Sequence, residues 1–119
     1  MKFGHLGFGV GDLAASSTFY QKALAPIGLL LIAFDEHSAR FGAEGKTMLF
    51  IHTYKKPSIP FHFAFETENR EGVDAFYAAA LASGGKDNGA PGVRENYSPT
   101  YYAAFVLDPD GNNIEVVCR

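Results

Sequence analysis

Three side chains of the types that bind divalent cations, His5, His62 and Glu115, occur in segments whose composition predicts β-strands. Strand side chains alternate between two faces, and the face opposite the candidate ligand is apolar in each segment, with Phe8, Phe63 and Ile114 among its residues. If helices cover the apolar faces, the three ligands converge on the uncovered side. Two histidines and one carboxylate leave positions on an ion open for a substrate, as catalytic metal sites require.

The chain repeats itself with an offset of 57 residues. His5 then matches His62, and the dipeptide Phe19-Tyr20 matches Phe76-Tyr77. Internal repetition of this kind predicts two copies of one supersecondary unit. The repeat also favours a shared metal-binding role for His5 and His62, because an isolated strand histidine is usually a hydrogen-bonded residue that binds no metal.

Each copy predicts the order strand, helix, strand, strand, strand. The first copy has a strand at 2–10, a helix that begins after Asp12 and ends at Pro26 to Gly28, and strands at 29–34, 38–41 and 47–54. The second has a strand at 61–66, a helix from Asn69 to Gly84-Gly85, a loop with one short irregular strand at 86–100, and a hairpin of 101–107 and 112–118 across a type I turn at 108–111. We therefore predict a single domain over 1–119, with module one at 1–54, a linker at 55–60 and module two at 61–119.

Composition excludes several classes of function. The 119 residues carry a net charge of −3 with no cluster of basic residues, which argues against a nucleic-acid partner. No apolar run approaches the ~20 residues needed to span a bilayer. The sequence opens on strand-like residues rather than a signal peptide, and the single Cys118 cannot form an intrachain disulfide. We expect a cytoplasmic protein that binds a small molecule and neither nucleic acid nor membrane.

The ends of the chain carry a family pattern. The opening His5-Leu-Gly-Phe-Gly-Val-Gly-Asp-Leu and the closing Ala-Phe-Val-Leu-Asp-Pro-Asp-Gly-Asn-Asn-Ile-Glu resemble the glyoxalase/bleomycin resistance/dioxygenase superfamily, also called vicinal oxygen chelate. The resemblance implies an α+β fold in which two βαβββ modules form a curved mixed sheet with helices on the outer face. It also implies a homodimer with its site between modules, and metal ligands at His5, His62 and Glu115.

The same resemblance implies that a fourth ligand often lies in the strand at 47–54. That strand carries Met48, Phe50, His52 and Tyr54 on one face, and Leu49, Ile51 and Thr53 on the other. If Ile51 occupies the ligand position, the site has three protein ligands. If the register differs by one residue, His52 is the fourth ligand, because a shift of one reverses the faces. The sequence leaves both arrangements open.

Polar and aromatic residues around the closing hairpin are candidates for contact with a substrate. Because Tyr101 and Tyr102 are adjacent, one of them faces the metal side, and both join Glu115 as candidate catalytic residues. The candidates for substrate binding are Arg94, Tyr97 and Asn113. The alternative roles are packing for the tyrosines, solvation for the arginine and a turn for the asparagine.

These patterns favour a metal-dependent enzyme that acts on a small substrate with vicinal oxygens, either a glyoxalase-like lyase or isomerase or a dioxygenase. The cofactor is then a divalent ion of Fe, Zn, Ni, Mn or Co that acts as a Lewis acid. One alternative is a metal-free protein that binds an antibiotic, as bleomycin resistance proteins do, although such proteins usually lack the metal ligands. Another is an unrelated ferredoxin-like dimer, which leaves the repeat unexplained.

Overall fold

The computed structural model describes residues 3–119, which fold into two helices and two sheets. The first half contains β1 (Leu6–Gly9), α1 (Leu13–Leu24), β2 (Leu30–Phe34), β3 (Ser38–Ala43) and β4 (Lys46–His52). The second half contains β5 (His62–Glu66), α2 (Arg70–Ala82), β6 (Lys86–Asp87), β7 (Gly92–Val93), β8 (Tyr102–Leu107) and β9 (Asn113–Cys118). Neither helix of this part of the chain is long and apolar enough to cross a membrane.

Both helices begin where the sequence predicts. The Asp12 carboxylate accepts a hydrogen bond from the Ala15 amide at 3.0 Å, and the Asn69 side chain accepts one from the Gly72 amide at 2.9 Å. Each cap satisfies an amide that has no partner within its helix. After α1 a single 3₁₀ turn leads to Gly28, whose φ of 87° is disfavoured for residues with a β-carbon.

The two sheets have the same topology. Their strand orders are β1-β4-β3-β2 and β5-β9-β8-β6, with β7 also paired to β8. In each sheet the first strand of the module lies parallel to the last, and the other pairs are antiparallel. The predicted α+β fold of two βαβββ modules with mixed sheets is therefore confirmed.

One face of each sheet packs against helices, and the other carries none. Phe8 and Ile51 are buried on the helix side of the first sheet, as are Ile114 and Val116 in the second. The helices α1 and α2 also pack against each other, so the two modules share one core. We call the uncovered side of each sheet its open face.

The segment at 86–100 contains two short strands rather than the one predicted. β6 and β7 each pair with β8 over only two residues. Pro91 lies between them and has no amide hydrogen to donate to a ladder, so a continuous strand cannot form there. The strand predicted at 2–10 is also shorter, and its residue Lys2 lies outside the described residues.

The turn before β9 is organised by the buried side chain of Asp108. Its carboxylate accepts hydrogen bonds from the Asp110 amide at 2.9 Å, the Asn112 amide at 2.8 Å, the Asn112 side chain at 3.0 Å and the Tyr20 hydroxyl. Burial raises the pKa of Tyr20 well above its ordinary value, and the charge of Asp108 raises it further. Because Tyr20 belongs to α1, this contact ties the hairpin of one module to the helix of the other.

Candidate functional site

The open face of the second sheet brings His62 and Glu115 together. His62 is the first residue of β5 and pairs with Asn113, while Glu115 pairs with Ala64. The intervening Phe63 and Ile114 face the helices, so alternation sends both polar side chains to the open face. The His62 Nε2 atom lies 3.0 Å from Glu115 Oε1.

The orientation of the His62 ring is fixed by the backbone. Its Nδ1 atom lies 2.9 Å from the carbonyl oxygen of Asn113, and since a carbonyl only accepts hydrogen bonds, Nδ1 is the donor. Nε2 is therefore the nitrogen directed at Glu115. A bare lone pair there would face a carboxylate, so the pair requires either a proton or a cation between its two atoms.

Glu115 is buried, with 3% of its surface exposed. Its second oxygen, Oε2, accepts a hydrogen bond from the Tyr101 hydroxyl at 2.5 Å. Burial, together with the hydrogen bond to Glu115 and its charge, raises the pKa of Tyr101 to about 12. Each oxygen of the buried carboxylate thus has a partner, His62 Nε2 for Oε1 and the Tyr101 hydroxyl for Oε2.

Two residues of the loop between β7 and β8 lie over the same face. Arg94 packs its guanidinium on the ring of Phe105, with Cζ 5.3 Å from the ring centre. The centre of that ring lies 6.1 Å from that of His62. The Tyr97 ring lies 4.9 Å from the Tyr101 ring. The predicted substrate-binding residues Arg94 and Tyr97 thus lie beside the candidate ligands.

Asn113 also borders this cluster, but Tyr102 does not. The Asn113 carbonyl holds His62, and its side-chain oxygen accepts a hydrogen bond from Asn88 at 3.1 Å. Tyr102 lies on the helix side of β8, where its hydroxyl donates to Asp74 of α2 at 2.6 Å. Alternation along β8 thus separates Tyr102 from its neighbour Tyr101, which faces Glu115.

The register of the first sheet determines which face His52 takes. β4 pairs with β1 so that Ile51 lies beside Phe8 on the buried face and His52 lies beside Gly9 on the open face. Ile51 therefore packs in the core, and His52 is the residue of this pair that lies on the open face. The His52 ring packs with the neighbouring Tyr54 ring, at a centroid distance of 5.1 Å.

His52 is nevertheless too far along the sheet to share an ion with His5. His5 immediately precedes β1 and is exposed, four residues before the Gly9 that pairs with His52. Four residues of extended chain span about 13 Å. The spacing between the two strands adds to this separation. Two imidazoles that each bind the same ion at about 2 Å do not reach across the total distance.

One copy of the chain does not assemble the predicted ligands. Within residues 3–119, no group of three or more histidine, cysteine, aspartate or glutamate side chains is close enough to hold a metal ion. His5 belongs to the first module, whereas His62 and Glu115 belong to the second. The three predicted ligands are therefore not brought together within the described part of one chain.

Phe105 is a site residue that the sequence analysis did not single out. It pairs across the hairpin with Glu115 and separates Arg94 from the strands beneath. The predicted hairpin contained part of the signal, because it pairs the strand that holds Phe105 with the strand that holds Glu115, while the exact register depends on the geometry of the turn. The contact between Arg94 and this ring, by contrast, could not be predicted from the hairpin, because it depends on the path of the loop between β7 and β8.

An apolar cavity of about 490 Å³ lies elsewhere, lined by residues of both modules that include Leu6, Met48, Phe63 and Phe65. Its one ionisable lining residue, Glu66, forms an ion pair with Arg119 at 2.7 Å. The carboxylate of Glu66 is therefore engaged by Arg119, and the other lining residues are apolar. The chemistry of the described residues is concentrated around His62 and Glu115 instead.

Comparison with known proteins agrees with this architecture. The family model for the Glyoxalase/Bleomycin resistance protein/Dioxygenase superfamily matches residues 2–116. The crystal structure of a glyoxalase/bleomycin resistance protein from Albidiferax ferrireducens T118 is 30% identical, with a TM-score of 0.83 over 98% of each chain. A search of curated proteins found no match.

More distant structures share the fold alone. A glyoxalase/bleomycin resistance protein/dioxygenase family enzyme from Burkholderia phytofirmans PsJN is 20% identical, with a TM-score of 0.75 over 99% of this chain and 98% of that chain. Lactoylglutathione lyase from Agrobacterium tumefaciens is 17% identical, with a TM-score of 0.66 over 95% of this chain and 90% of that chain.

Proposed function

Because the chain belongs to the glyoxalase/bleomycin resistance protein/dioxygenase superfamily, we propose that it is a metal-dependent enzyme acting on a small substrate with vicinal oxygens. The observation that carries the proposal is the pair of His62 Nε2 and Glu115 Oε1, 3.0 Å apart on an open face. The proposed ligands of the divalent ion are His5 of one copy with His62 and Glu115 of another.

The geometry of the pair fits a divalent ion. Neighbouring ligands at about 2.1 Å from a six-coordinate ion lie about 3 Å from each other, which is the separation of the two atoms. The hydrogen bond from His62 Nδ1 to a backbone carbonyl is the support that metal-binding histidines usually have. Tyr101 supports the Glu115 carboxylate in the same way.

A second copy is part of the proposal because each copy supplies only part of the set. β1 and β5 are each paired on one side only within the part of the chain that the structure describes. Open strand edges of this kind are available to a second chain, and two identical chains most often associate with twofold symmetry. A homodimer can therefore bring His5 of one copy to His62 of the other.

The residues of the chain have distinct tasks in this proposal. His5, His62 and Glu115 would hold a divalent ion, which would supply a Lewis acid for two adjacent oxygens of a substrate. Tyr101 is a positioning residue that donates a hydrogen bond to Glu115 and, with a pKa of about 12, keeps its proton at ordinary pH. Phe105 shields one side of His62 from water. Zn, Ni, Mn or Co would suit a lyase or isomerase, and Fe a dioxygenase.

A metal-free protein that binds an antibiotic is the second candidate. One observation favours it, because His62 and Tyr101 already compensate both oxygens of Glu115. Both oxygens of Glu115 therefore have partners within the chain itself. The exposed aromatic ring of Tyr97 beside it would suit a flat ligand.

Metal titration of untagged protein separates the two candidates. We expect Zn²⁺, Ni²⁺, Co²⁺ or Mn²⁺ to bind with micromolar or tighter affinity, and His62→Gln or Glu115→Gln to weaken binding at least about 100-fold. The matched control is His52→Gln, which alters a histidine on the other open face and leaves the affinity unchanged. If the native protein binds none of these ions or Fe²⁺, the enzyme proposal fails and the binding protein remains.

We also propose a cytoplasmic location for the protein. Cys118 is the single cysteine and is free, so the fold does not depend on an oxidising compartment. Fractionation of the source cells tests this directly, and recovery of the protein outside the cytoplasmic fraction would contradict it.

A further inference from the structure

The half-buried guanidinium of Arg94 has no counter-charge. None of the ion pairs among the described residues includes it, so no carboxylate there lies within 4.0 Å. Arg94 instead donates from Nη1 to the Gly92 carbonyl at 2.9 Å and from Nη2 to the Ala90 carbonyl at 2.8 Å. These neutral acceptors orient the group and leave its charge uncompensated, which favours binding of an anion.

The guanidinium is held in one position by its surroundings. Phe105 lies beneath it, and a β-carbon built on Gly89 would lie 3.1 Å from Arg94 Nη2 and 3.0 Å from the Phe105 ring. The loop therefore fits closely around the arginine. Because two of the five N–H donors are used by backbone carbonyls, three remain for a ligand, enough for the two oxygens of a carboxylate.

Arg94 is also linked to the proposed metal ligands through the ring of Phe105. The Phe105 ring contacts the guanidinium and lies 6.1 Å from the His62 ring, so it connects the arginine to the candidate metal ligands. The exposed Tyr97 ring lies beside Tyr101 on the same face. A planar ligand that reaches from His62 to Arg94 would lie along these aromatic rings.

We propose that the substrate is a planar carboxylic acid with two adjacent oxygens at its other end, and that Arg94 binds the carboxylate. The role of the two oxygens depends on the proposed metal site, whereas the role of Arg94 does not. The net charge of the chain is −3, so attraction of the anion must come from this local cation rather than from the protein as a whole.

Two related probes test the assignment. Catechol and 3,4-dihydroxybenzoate share vicinal oxygens and differ by one carboxylate, and Zn²⁺ holds them without redox chemistry. In calorimetric titrations of the Zn²⁺-loaded protein, we expect dihydroxybenzoate to bind at least about tenfold more tightly than catechol. Arg94→Gln should remove the difference, and Arg94→Lys should retain part of it, because a point charge lacks the paired donors of arginine.

The matched control is Arg70→Gln. Arg70 also packs over a tyrosine ring, Tyr102, with Cζ 4.7 Å from the ring centre, but on the helix side of the sheet. This variant should keep the native preference for the carboxylate. A preference that persists in Arg94→Gln, or that is absent from the native protein, would overturn the assignment. Circular dichroism of each variant checks that it is folded.

Failure of the metal site would remain distinguishable from failure of this inference. Arg94→Gln should bind Zn²⁺ like the native protein, since Arg94 is not a proposed ligand. If no ion binds at all, benzoate is titrated into the metal-free protein and into Arg94→Gln. Binding that the substitution weakens supports the role of Arg94, and equal binding, or none to either protein, contradicts it.

Discussion

The buried carboxylate of Glu115 depends on two neighbours that reach it from different strands and loops. His62 comes from the parallel strand β5, and Tyr101 from the residue before β8. The sequence could predict that His62 and Glu115 share a face, because alternation is a local property. It could not predict that Tyr101 and not Tyr102 faces them, because that depends on where β8 begins.

Substitution of Tyr101 tests how strongly it supports Glu115. Tyr101→Phe removes the donor to a buried charged acceptor and should lower the free energy of unfolding by about 1–3 kcal/mol. Urea denaturation measures the change. The control Tyr97→Phe alters a tyrosine that is 63% exposed and should change stability by less than about 0.5 kcal/mol. Equal effects of the two substitutions would contradict the assignment.

The pKa of Tyr101 also predicts how stability responds to alkali. An unfolded tyrosine ionises near pH 10, whereas the folded protein holds the Tyr101 proton until about pH 12. The unfolded state therefore loses the proton first, so the contribution of Tyr101 is complete below pH 10 and is lost between pH 10 and 12. Tyr101→Phe should flatten the fall in unfolding free energy over that range. An unchanged slope would exclude Tyr101 as a cause.

At the scale of elements, sequence predictions succeed where structure is local. Asp12 and Asn69 cap the predicted helices, and the tetrad from Asp108 to Gly111 forms the predicted turn. β6 and β7 were harder to predict because each is two residues long and exists only through pairing with β8. Deciding which face His52 takes likewise required the pairing of β1 with β4, which is a long-range contact that the sequence does not reveal.

The turn before β9 should be among the most sensitive elements of the fold. Asp108→Ala removes an acceptor shared by Tyr20, Asp110 and Asn112, and leaves the buried donors of Tyr20 and Asn112 without partners. We expect the free energy of unfolding to fall by more than about 2 kcal/mol, because each unsatisfied buried group costs about 1–3 kcal/mol.

The control for this turn is Asp110→Ala. Asp110 accepts only long hydrogen bonds from the Gly11 amide, at 3.2 and 3.3 Å, and is less buried than Asp108. Its loss should lower stability by less than half as much, as measured by urea denaturation. Equal losses of stability in Asp110→Ala and Asp108→Ala would contradict the central role assigned to Asp108 in this turn.

At the scale of the whole molecule, the repeat predicts two similar modules and the side of each that stays open. It does not predict how the open faces meet, because that depends on the placement of one module relative to another rather than on alternation within a strand. In one chain, His5 and the pair of His62 with Glu115 do not come together. The proposed site therefore depends on association between two copies.

Complementation between two variants that each lack one proposed metal ligand tests this dependence directly. His5→Gln and His62→Gln chains, co-expressed with different non-histidine tags, are purified as heterodimers, and their metal content is measured. In a heterodimer, one site loses both histidines and the other keeps His5 of one copy with His62 and Glu115 of its partner. We predict one bound ion per heterodimer and none in either variant alone. A heterodimer without metal, alongside a native dimer that binds two ions, would contradict a site shared between copies.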